Sequence, residues 1–86
     1  MKFEDLDFNP HGIPGGMHAV VNFPNGYGAS VVSGPMFYTR PGAPYELAVM
    51  RGESLCYDTE LTDDVLGYLA AEDVTMYLEK IEALAP

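Results

Sequence analysis

Alternating apolar and polar residues predict a β-hairpin in the first half of the chain. Residues 17–23 (MHAVVNF) place apolar side chains at every odd position, with His18 and Asn22 between them. A period of two is typical of a strand with one buried face. The Asn25-Gly26 dipeptide that follows is common in short hairpin turns because both residues accept a positive φ. Residues 27–33 (YGASVVS) are therefore predicted to return as the second strand.

A second pair of strands is predicted further along the chain. Residues 45–50 (YELAVM) are rich in β-forming residues and, after Glu46, apolar on both faces. Residues 51–54 supply a turn, and residues 55–58 (LCYD) form a short strand. Gly28, inside the second strand of the first hairpin, indicates a bulge or a close approach of two backbones.

The pattern then changes from a period of two to helical spacing. The triplet Thr62-Asp63-Asp64 is typical of a helix start, since it offers a capping hydroxyl and two carboxylates at the positive end of the dipole. We expect a first short helix from there to about Tyr68, and a second helix that begins near Ala70 or Ala71. The second helix carries an apolar stripe, formed by Val74, Tyr77, Leu78, Ile81 and Leu84.

These patterns predict one α+β domain, with a four-stranded antiparallel sheet followed by two C-terminal helices packed on one of its faces. Eighty-six residues allow a single domain with a modest core. Phe3, Leu6 and Phe8 could pin the start of the chain to that core, although the nearby Pro and Gly residues favour irregular structure. The expected parts are an irregular N-terminal arm at 1–16, the sheet at 17–58 and the helices at 62–84.

Charge is distributed unevenly along the chain. Thirteen acids against four bases give a net charge of −9, and residues 46–86 hold ten of the acids with only Arg51 and Lys80. A field of this sign repels nucleic acid phosphates and anionic membranes and attracts basic protein surfaces. The chain also lacks an apolar run long enough for a secretory signal or a membrane span. We therefore expect a cytoplasmic protein whose partner is another protein.

Metal and cofactor sites are not indicated. Cys56 is the only cysteine, and its neighbours predict a small core residue in a strand. A calcium loop that began at Asp58 would need Gly at its sixth position and Glu at its twelfth. Those positions hold Asp63 and Leu69, so the motif fails.

The sequence does not favour an enzyme. His11 and His18 are the only histidines, and His18 falls on a predicted strand face where it is more typical of a surface residue than of a base. No nucleophile elbow, P-loop or dinucleotide-binding fingerprint occurs. Paired carboxylates could perform acid–base chemistry, but a domain of this size leaves little room for a closed pocket. No catalytic residue is predicted.

The stretch from Leu55 to Asp73 is the candidate functional surface. It holds six carboxylates and no Lys or Arg. Acids at the two helix starts have a capping role, whereas Asp58 and Glu60 do not. Tyr57 and Tyr68 are candidates for apolar anchors beside a charged rim, and a position over the core explains them equally well. The predicted partner-binding residues are Glu46, Glu53, Asp58, Glu60, Asp63, Asp64, Glu72, Asp73, Tyr57 and Tyr68.

Three segments resemble a family of small proteins from phages and integrated mobile elements. They are NGYGASVV at 25–32, YELAV at 45–49, and LCYDT with TDDVLGYL between 55 and 69. Members of that family have the pattern NGYGxSVV…YELAV…LCYDTxxTDDV, and the similarity extends over most of the chain. By size and genomic setting they resemble anti-CRISPR and other anti-defence proteins, some of which are acidic mimics of DNA.

The resemblance implies an inhibitor that mimics DNA. It would bind a basic, DNA-reading surface of a bacterial CRISPR interference complex, as a monomer or weak dimer, without contacting nucleic acid or membrane itself. The alternative is a non-enzymatic phage accessory protein that acts through an apolar protein–protein or homo-oligomer interface, with Phe37, Tyr38 and the uncharged first half as that interface. A weaker third hypothesis is a small enzyme acting on a nucleotide signal.

Overall fold

The fold is α+β, with an antiparallel sheet and a C-terminal helix, as the sequence predicts. A computed structural model of the chain describes residues 1–10, 12, 15–34, 37, 39, 41–52, 54–55 and 65–85. Those residues contain a short 3-10 helix (Phe3–Asp5), six strands and one α-helix. The strands are β1 (Asn9–Pro10), β2 (Met17–Asn22), β3 (Tyr27–Ser33), β4 (Tyr45–Arg51), β5 (Ser54–Leu55) and β6 (Leu66–Leu69), and the helix is α1 (Ala71–Glu82).

The sheet is built around the three long strands β2, β3 and β4, which pair antiparallel in sequence order. The two-residue strand β1 extends it beyond β2. On the other side, β5 pairs the end of β4 at Met50 and Arg51, and β6 pairs the start of β4 at Tyr45 and Leu47. One long strand therefore holds both short strands at a shared edge.

The core lies between one face of the sheet and α1. Odd-numbered residues of β2, β3 and β4 face the helix, and the fully buried ones include Val31, Leu47 and Val49. The predicted apolar stripe of α1 is confirmed. Val74, Leu78 and Ile81 are completely buried, and Tyr77 and Leu84 pack against the same cluster.

The N-terminal segment lies along the helix and contacts the sheet. Phe3 and Phe8 both pack against Tyr45, with ring centroids 4.8 Å and 5.8 Å away. The amide of Phe3 donates a hydrogen bond to the hydroxyl of Thr75 in α1 at 2.9 Å. Apolar residues at 3, 6 and 8 therefore attach this segment to the core.

The sheet has more strands than the sequence predicts. The described residues also contain fewer helices than predicted. Two further strands, β1 and β6, extend the predicted set of four. The first helix was predicted to extend to about Tyr68, but Leu66–Leu69 forms the strand β6. Among the described residues, α1 is the one α-helix. Tertiary pairing with β4 prevails there because Leu66 and Leu69 reach the core as strand residues. The predicted start of that helix, residues 62–64, lies outside the described residues.

The first hairpin forms where it was predicted, but its turn is longer than a two-residue Asn-Gly turn. The amide of Phe23 donates to the carbonyl of Tyr27 at 2.7 Å, which leaves three residues in the loop. Gly26 has φ +90°, whereas Asn25 keeps a negative φ. Pro24 explains the difference, because its ring fixes φ near about −65° and suits the first central position of a type I turn.

Candidate partner-binding surface

Four of the ten predicted partner-binding residues lie in the described part of the chain, and the structure can locate them. They are Glu46 in β4, Tyr68 in β6, and Glu72 and Asp73 in the first turn of α1. The other six lie outside the described residues: Glu53, Tyr57, Asp58, Glu60, Asp63 and Asp64.

Glu46 and Tyr68 are brought together by the pairing of β4 with β6. Tyr45 pairs with Leu69 and Leu47 with Leu66, so that Glu46 alone on β4 faces two residues, Gly67 and Tyr68, on β6. This is a β-bulge, which bends a strand and redirects its side chains. Tyr68 adopts φ +58° at the bulge and keeps 50% of its surface exposed.

The two acids at the start of α1 have different roles. A carboxylate oxygen of Asp73 accepts a hydrogen bond from the amide of Ala70 at 2.9 Å. Ala70 has no side-chain acceptor of its own, so this is the half of a capping box that the third helical residue supplies. Glu72 is exposed. The prediction that one of these acids caps the helix is confirmed, and the acid is Asp73.

Acids from the N-terminal segment join those of the helix, which the sequence analysis did not anticipate. The Met1 amine forms an ion pair with Glu82 near the end of α1. That hydrogen bond raises the pKa of the amine, and the negative charges of Glu79 and Asp5 act in the same direction. The chain therefore runs along α1 and carries Glu4 and Asp5 beside the helix. The signal was present in the sequence, since these acids alternate with the apolar residues at 3, 6 and 8.

Most of these carboxylates have no positive partner. Across the described residues, the carboxylates of four exposed acids take part in no hydrogen bond or ion pair: Glu4, Asp7, Glu72 and Glu79. The basic side chains in the same part of the chain are Lys2, Arg51 and Lys80. Two of them lie against aromatic rings: Arg51 is 5.0 Å from the centroid of Tyr27 and Lys80 is 6.0 Å from that of Tyr77. The surface around α1 is therefore strongly negative.

The sheet face that points away from α1 has a different character. Even-numbered residues of β2, β3 and β4 lie there, with Leu55 of β5 beside Met50. Val20 is 50% exposed and Leu55 49% exposed, while Glu46 is the one acid that the long strands place on this face. Val32 and Ala48 on this face are only 9% exposed, so the large apolar residues that it exposes are Val20 and Leu55. The polar residues on the same face are His18, Asn22, Ser30 and Glu46.

Two further findings concern the described residues. They contain no group of three His, Cys, Asp or Glu side chains arranged to hold a metal ion. They also contain no helix with the length and apolar character needed to cross a membrane.

Comparison of the chain with protein-family models, with characterised proteins and with solved structures gave no significant match.

Proposed function

We propose that this protein is a phage-encoded inhibitor that occupies a basic, DNA-reading surface of a bacterial defence complex. The preferred target is a subunit of a CRISPR interference complex in the cytoplasm of the host cell. The inhibitor binds by presenting carboxylates where the target would bind the phosphates of DNA. It performs no chemistry on its target.

The observation that carries this proposal is the excess of carboxylates without a positive partner. A net charge of −9 on 86 residues is large, and the exposed carboxylates of Glu72 and Glu79 on α1 are paired with no cation of the chain itself. Such groups are available to Lys and Arg of a partner. The same target class is suggested by the resemblance to a family of small phage and mobile-element proteins, which are similar in size and genomic setting to anti-defence proteins.

DNA mimicry has a clear physical basis. A duplex carries one negative charge per about 1.7 Å of helix axis, and its protein receptors are lined with Lys and Arg. A compact acidic protein competes for such a surface by charge complementarity, which accelerates association and makes it sensitive to salt. Inhibition should therefore weaken steeply as the ionic strength rises.

The decisive experiment compares two pairs of neutral variants that change the net charge equally. The first pair, Asp58→Asn with Glu60→Gln, removes the acids that helix capping does not explain. The matched control, Glu4→Gln with Asp7→Asn, removes two exposed acids of the N-terminal segment, outside the stretch from Leu55 to Asp73. Each protein is assayed for inhibition of CRISPR interference in cells and for binding of the purified effector at low and high salt.

We expect the first pair to lose inhibition and the control to keep it, with equal thermal midpoints. If both pairs inhibit as well as the parent chain, the mimicry proposal is wrong. If both pairs lose inhibition to the same degree, the net charge acts as a whole and the stretch from Leu55 to Asp73 is not the binding surface.

A second candidate function rests on the exposed apolar residues of the sheet face that points away from α1. Val20 and Leu55 are each about half exposed there, on a face with few charges. This favours an accessory protein that binds through an apolar interface, including a second copy of itself. Phe37 is half-buried, and Tyr38 lies outside the described residues. A dimer whose mass is insensitive to salt, and which Val20→Lys dissociates, would support this function in place of the first.

A further inference from the structure

The outer edge of β2 is only partly covered by β1. The two strands pair at Met17 and His18, and no described strand pairs with residues 19–22 on that side. Proteins usually protect a strand edge with a lysine, a proline, a bulge or a covering element, because a bare edge accepts another strand. Residues 19–22 (AVVN) contain no charge and no proline, and their pairing with β3 is regular. We call these four residues the free edge.

The backbone groups of Val20 and Asn22 point away from β3. The amide of Phe23 donates to the carbonyl of Tyr27 at 2.7 Å, so Phe23 occupies a hydrogen-bonded position of the hairpin. Hydrogen-bonded and non-hydrogen-bonded positions alternate along an antiparallel pair. Because the register of β2 with β3 is unbroken, the odd-numbered residues of β2 bond to β3 and the even-numbered ones do not. The N–H and C=O groups of Val20 and Asn22 therefore face the free edge.

These groups have no partner in the part of the chain that the structure describes. The described residues make no hydrogen bond to the amide or carbonyl that Val20 and Asn22 turn outward. Val20 is 50% exposed and Asn22 is also exposed. A donor and an acceptor at every second residue of an exposed strand are the groups that an added strand binds. The edge thus specifies an extended peptide as its ligand.

A second copy of the chain does not fit this edge. Asn9 of β1 lies opposite His18 and closes the edge at that end. Antiparallel pairing of two copies about Val21 would place Pro24 of the second copy in the space that Asn9 occupies. Pairing about Val20 would cause the same overlap. Pairing one residue beyond Val21 would place Pro24 opposite Val20, and proline has no N–H to donate. The occupant is therefore a different chain.

The charge of the protein selects a basic occupant. The chain carries a net charge of −9, while the free edge itself has no charged side chain. Asp7, whose carbonyl accepts from the Asn9 side chain at 3.3 Å, is an exposed acid next to β1. The negative field attracts a segment with Lys or Arg at its ends. An uncharged middle avoids burying a charge against the sheet.

We propose that the free edge binds an extended basic segment of a partner protein, which joins the sheet as a strand antiparallel to β2. The segment pairs with the outward N–H and C=O groups of Val20 and Asn22. Its alternate side chains lie beside Val20 on one face of the sheet and beside Val21 on the face that carries α1. This inference goes beyond the proposed function, because strand addition uses the backbone and does not require that the acids mimic DNA.

The test titrates two peptides of equal charge into the full chain at low salt. The first is a capped peptide of alternating threonine and valine with a lysine at each end. The second is the same peptide N-methylated at every residue between the lysines, which removes its donors. The parent chain should bind the first peptide at least about 10-fold more tightly, because only that peptide can form the strand hydrogen bonds. A version of the first peptide with glutamate at each end should bind more weakly than the lysine version.

Amide hydrogen exchange locates the contact. In the free chain, the amides of Val20 and Asn22 should exchange fast, while that of Val21, which bonds to β3, should exchange slowly. The first peptide should slow exchange at Val20 and Asn22, and the N-methylated peptide should not.

Two variants complete the design. Val20→Pro removes a donor of the free edge and should keep the pairing with β3, since proline is tolerated where a strand N–H faces solvent. It should bind the first peptide at least about 10-fold more weakly than the parent chain does. Leu55→Thr removes an exposed apolar side chain at the other side of the sheet and should leave binding unchanged. Should Val20→Pro unfold, Asn22→Pro replaces it, because that N–H also faces the free edge.

Equal affinity of the parent chain for the first and the N-methylated peptide overturns the proposal, and so does binding that survives in Val20→Pro. Slow exchange of the Val20 and Asn22 amides in the free chain would also overturn it, because the edge would then be covered. Tighter binding of the glutamate peptide would refute the basic occupant. A dimer of the parent chain that Val20→Pro dissociates would assign the edge to a second copy and overturn the choice of a different partner.

Discussion

Asn25 in the first hairpin turn caps the far end of α1 by donating to the carbonyl of Ile81 at 2.9 Å. The same side-chain nitrogen lies within hydrogen-bond distance of the carbonyls of Glu82, at 3.2 Å, and Leu84, at 2.9 Å. The last carbonyls of a helix lack partners within the helix, so one amide group satisfies acceptors that would otherwise need solvent. Its carbonyl oxygen accepts from the amide of Tyr27 at 3.0 Å and stabilises the turn. One residue thereby links the hairpin to the helix.

Replacing Asn25 by alanine should lower the free energy of unfolding by about 1–3 kcal/mol, because helix carbonyls lose their donor and the Tyr27 amide loses its acceptor. Asn25→Asp should cost at least as much, since it places a negative charge at the negative end of the helix dipole. Urea titrations followed by circular dichroism would measure both. Asn22→Ala is the control: Asn22 is exposed, and its side chain makes no hydrogen bond in the described part of the chain. A control as costly as Asn25→Ala would contradict the capping role.

The hairpin illustrates which parts of the fold could be predicted from the sequence. The period of two in residues 17–23 identifies β2 and its buried face, and Asn-Gly identifies a turn. The capping role of Asn25 could not be predicted, because Asn25 and Ile81 are 56 positions apart and no local pattern connects them. Contacts of this kind depend on how the helix docks on the sheet, and the tertiary structure alone determines that.

Gly28 confirms the predicted close approach of two backbones. A β-carbon at this position would overlap the carbonyl oxygen of Val21 and lie 3.1 Å from the side-chain oxygen of Asn22. Gly28→Ala should therefore destabilise the protein by about 1–3 kcal/mol, since the obstacle is backbone and cannot rotate away. Gly12→Ala is the matched control, because a β-carbon there meets nothing within 4 Å. Thermal unfolding of the two variants would measure the difference, and equal midpoints would refute the close approach.

The candidate site was predictable in composition but not in geometry. The excess of acids after residue 45 is evident from the sequence, and so is the helix start that Asp73 caps. The position of Glu46 opposite the bulge at Tyr68 could not be predicted, because residues Leu66 to Leu69 also fit a helical pattern. Strand formation there depends on pairing with β4, a tertiary contact that no local pattern reveals.

The hydroxyl of Thr75 should contribute to holding the N-terminal segment against α1. Thr75→Val keeps the shape of the side chain but removes the acceptor of the Phe3 amide, which should cost about 1 kcal/mol. Hydrogen exchange at the Phe3 amide should accelerate in this variant. Thr75→Ser keeps the hydroxyl and should keep the protection. Slow exchange in Thr75→Val would show that the packing of Phe3 and Phe8 against Tyr45 suffices without this hydrogen bond.

The ion pair between the Met1 amine and Glu82 should make stability depend on pH in the alkaline range. The hydrogen bond to Glu82 raises the pKa of the amine above its ordinary value of 8.0. Because the folded state binds this proton more tightly, the stabilisation is complete below pH 8.0 and is lost as the pH rises through the raised pKa. In the chain with a free Met1 amine, the difference in thermal midpoint between the parent and Glu82→Gln should be constant up to about pH 8 and then close. Glu4→Gln is the control, because the carboxylate of Glu4 does not touch the amine. Its difference in thermal midpoint from the parent should stay constant across the same pH range. If the difference for Glu82→Gln instead widened above about pH 8, the charge of Glu82 would act through another group.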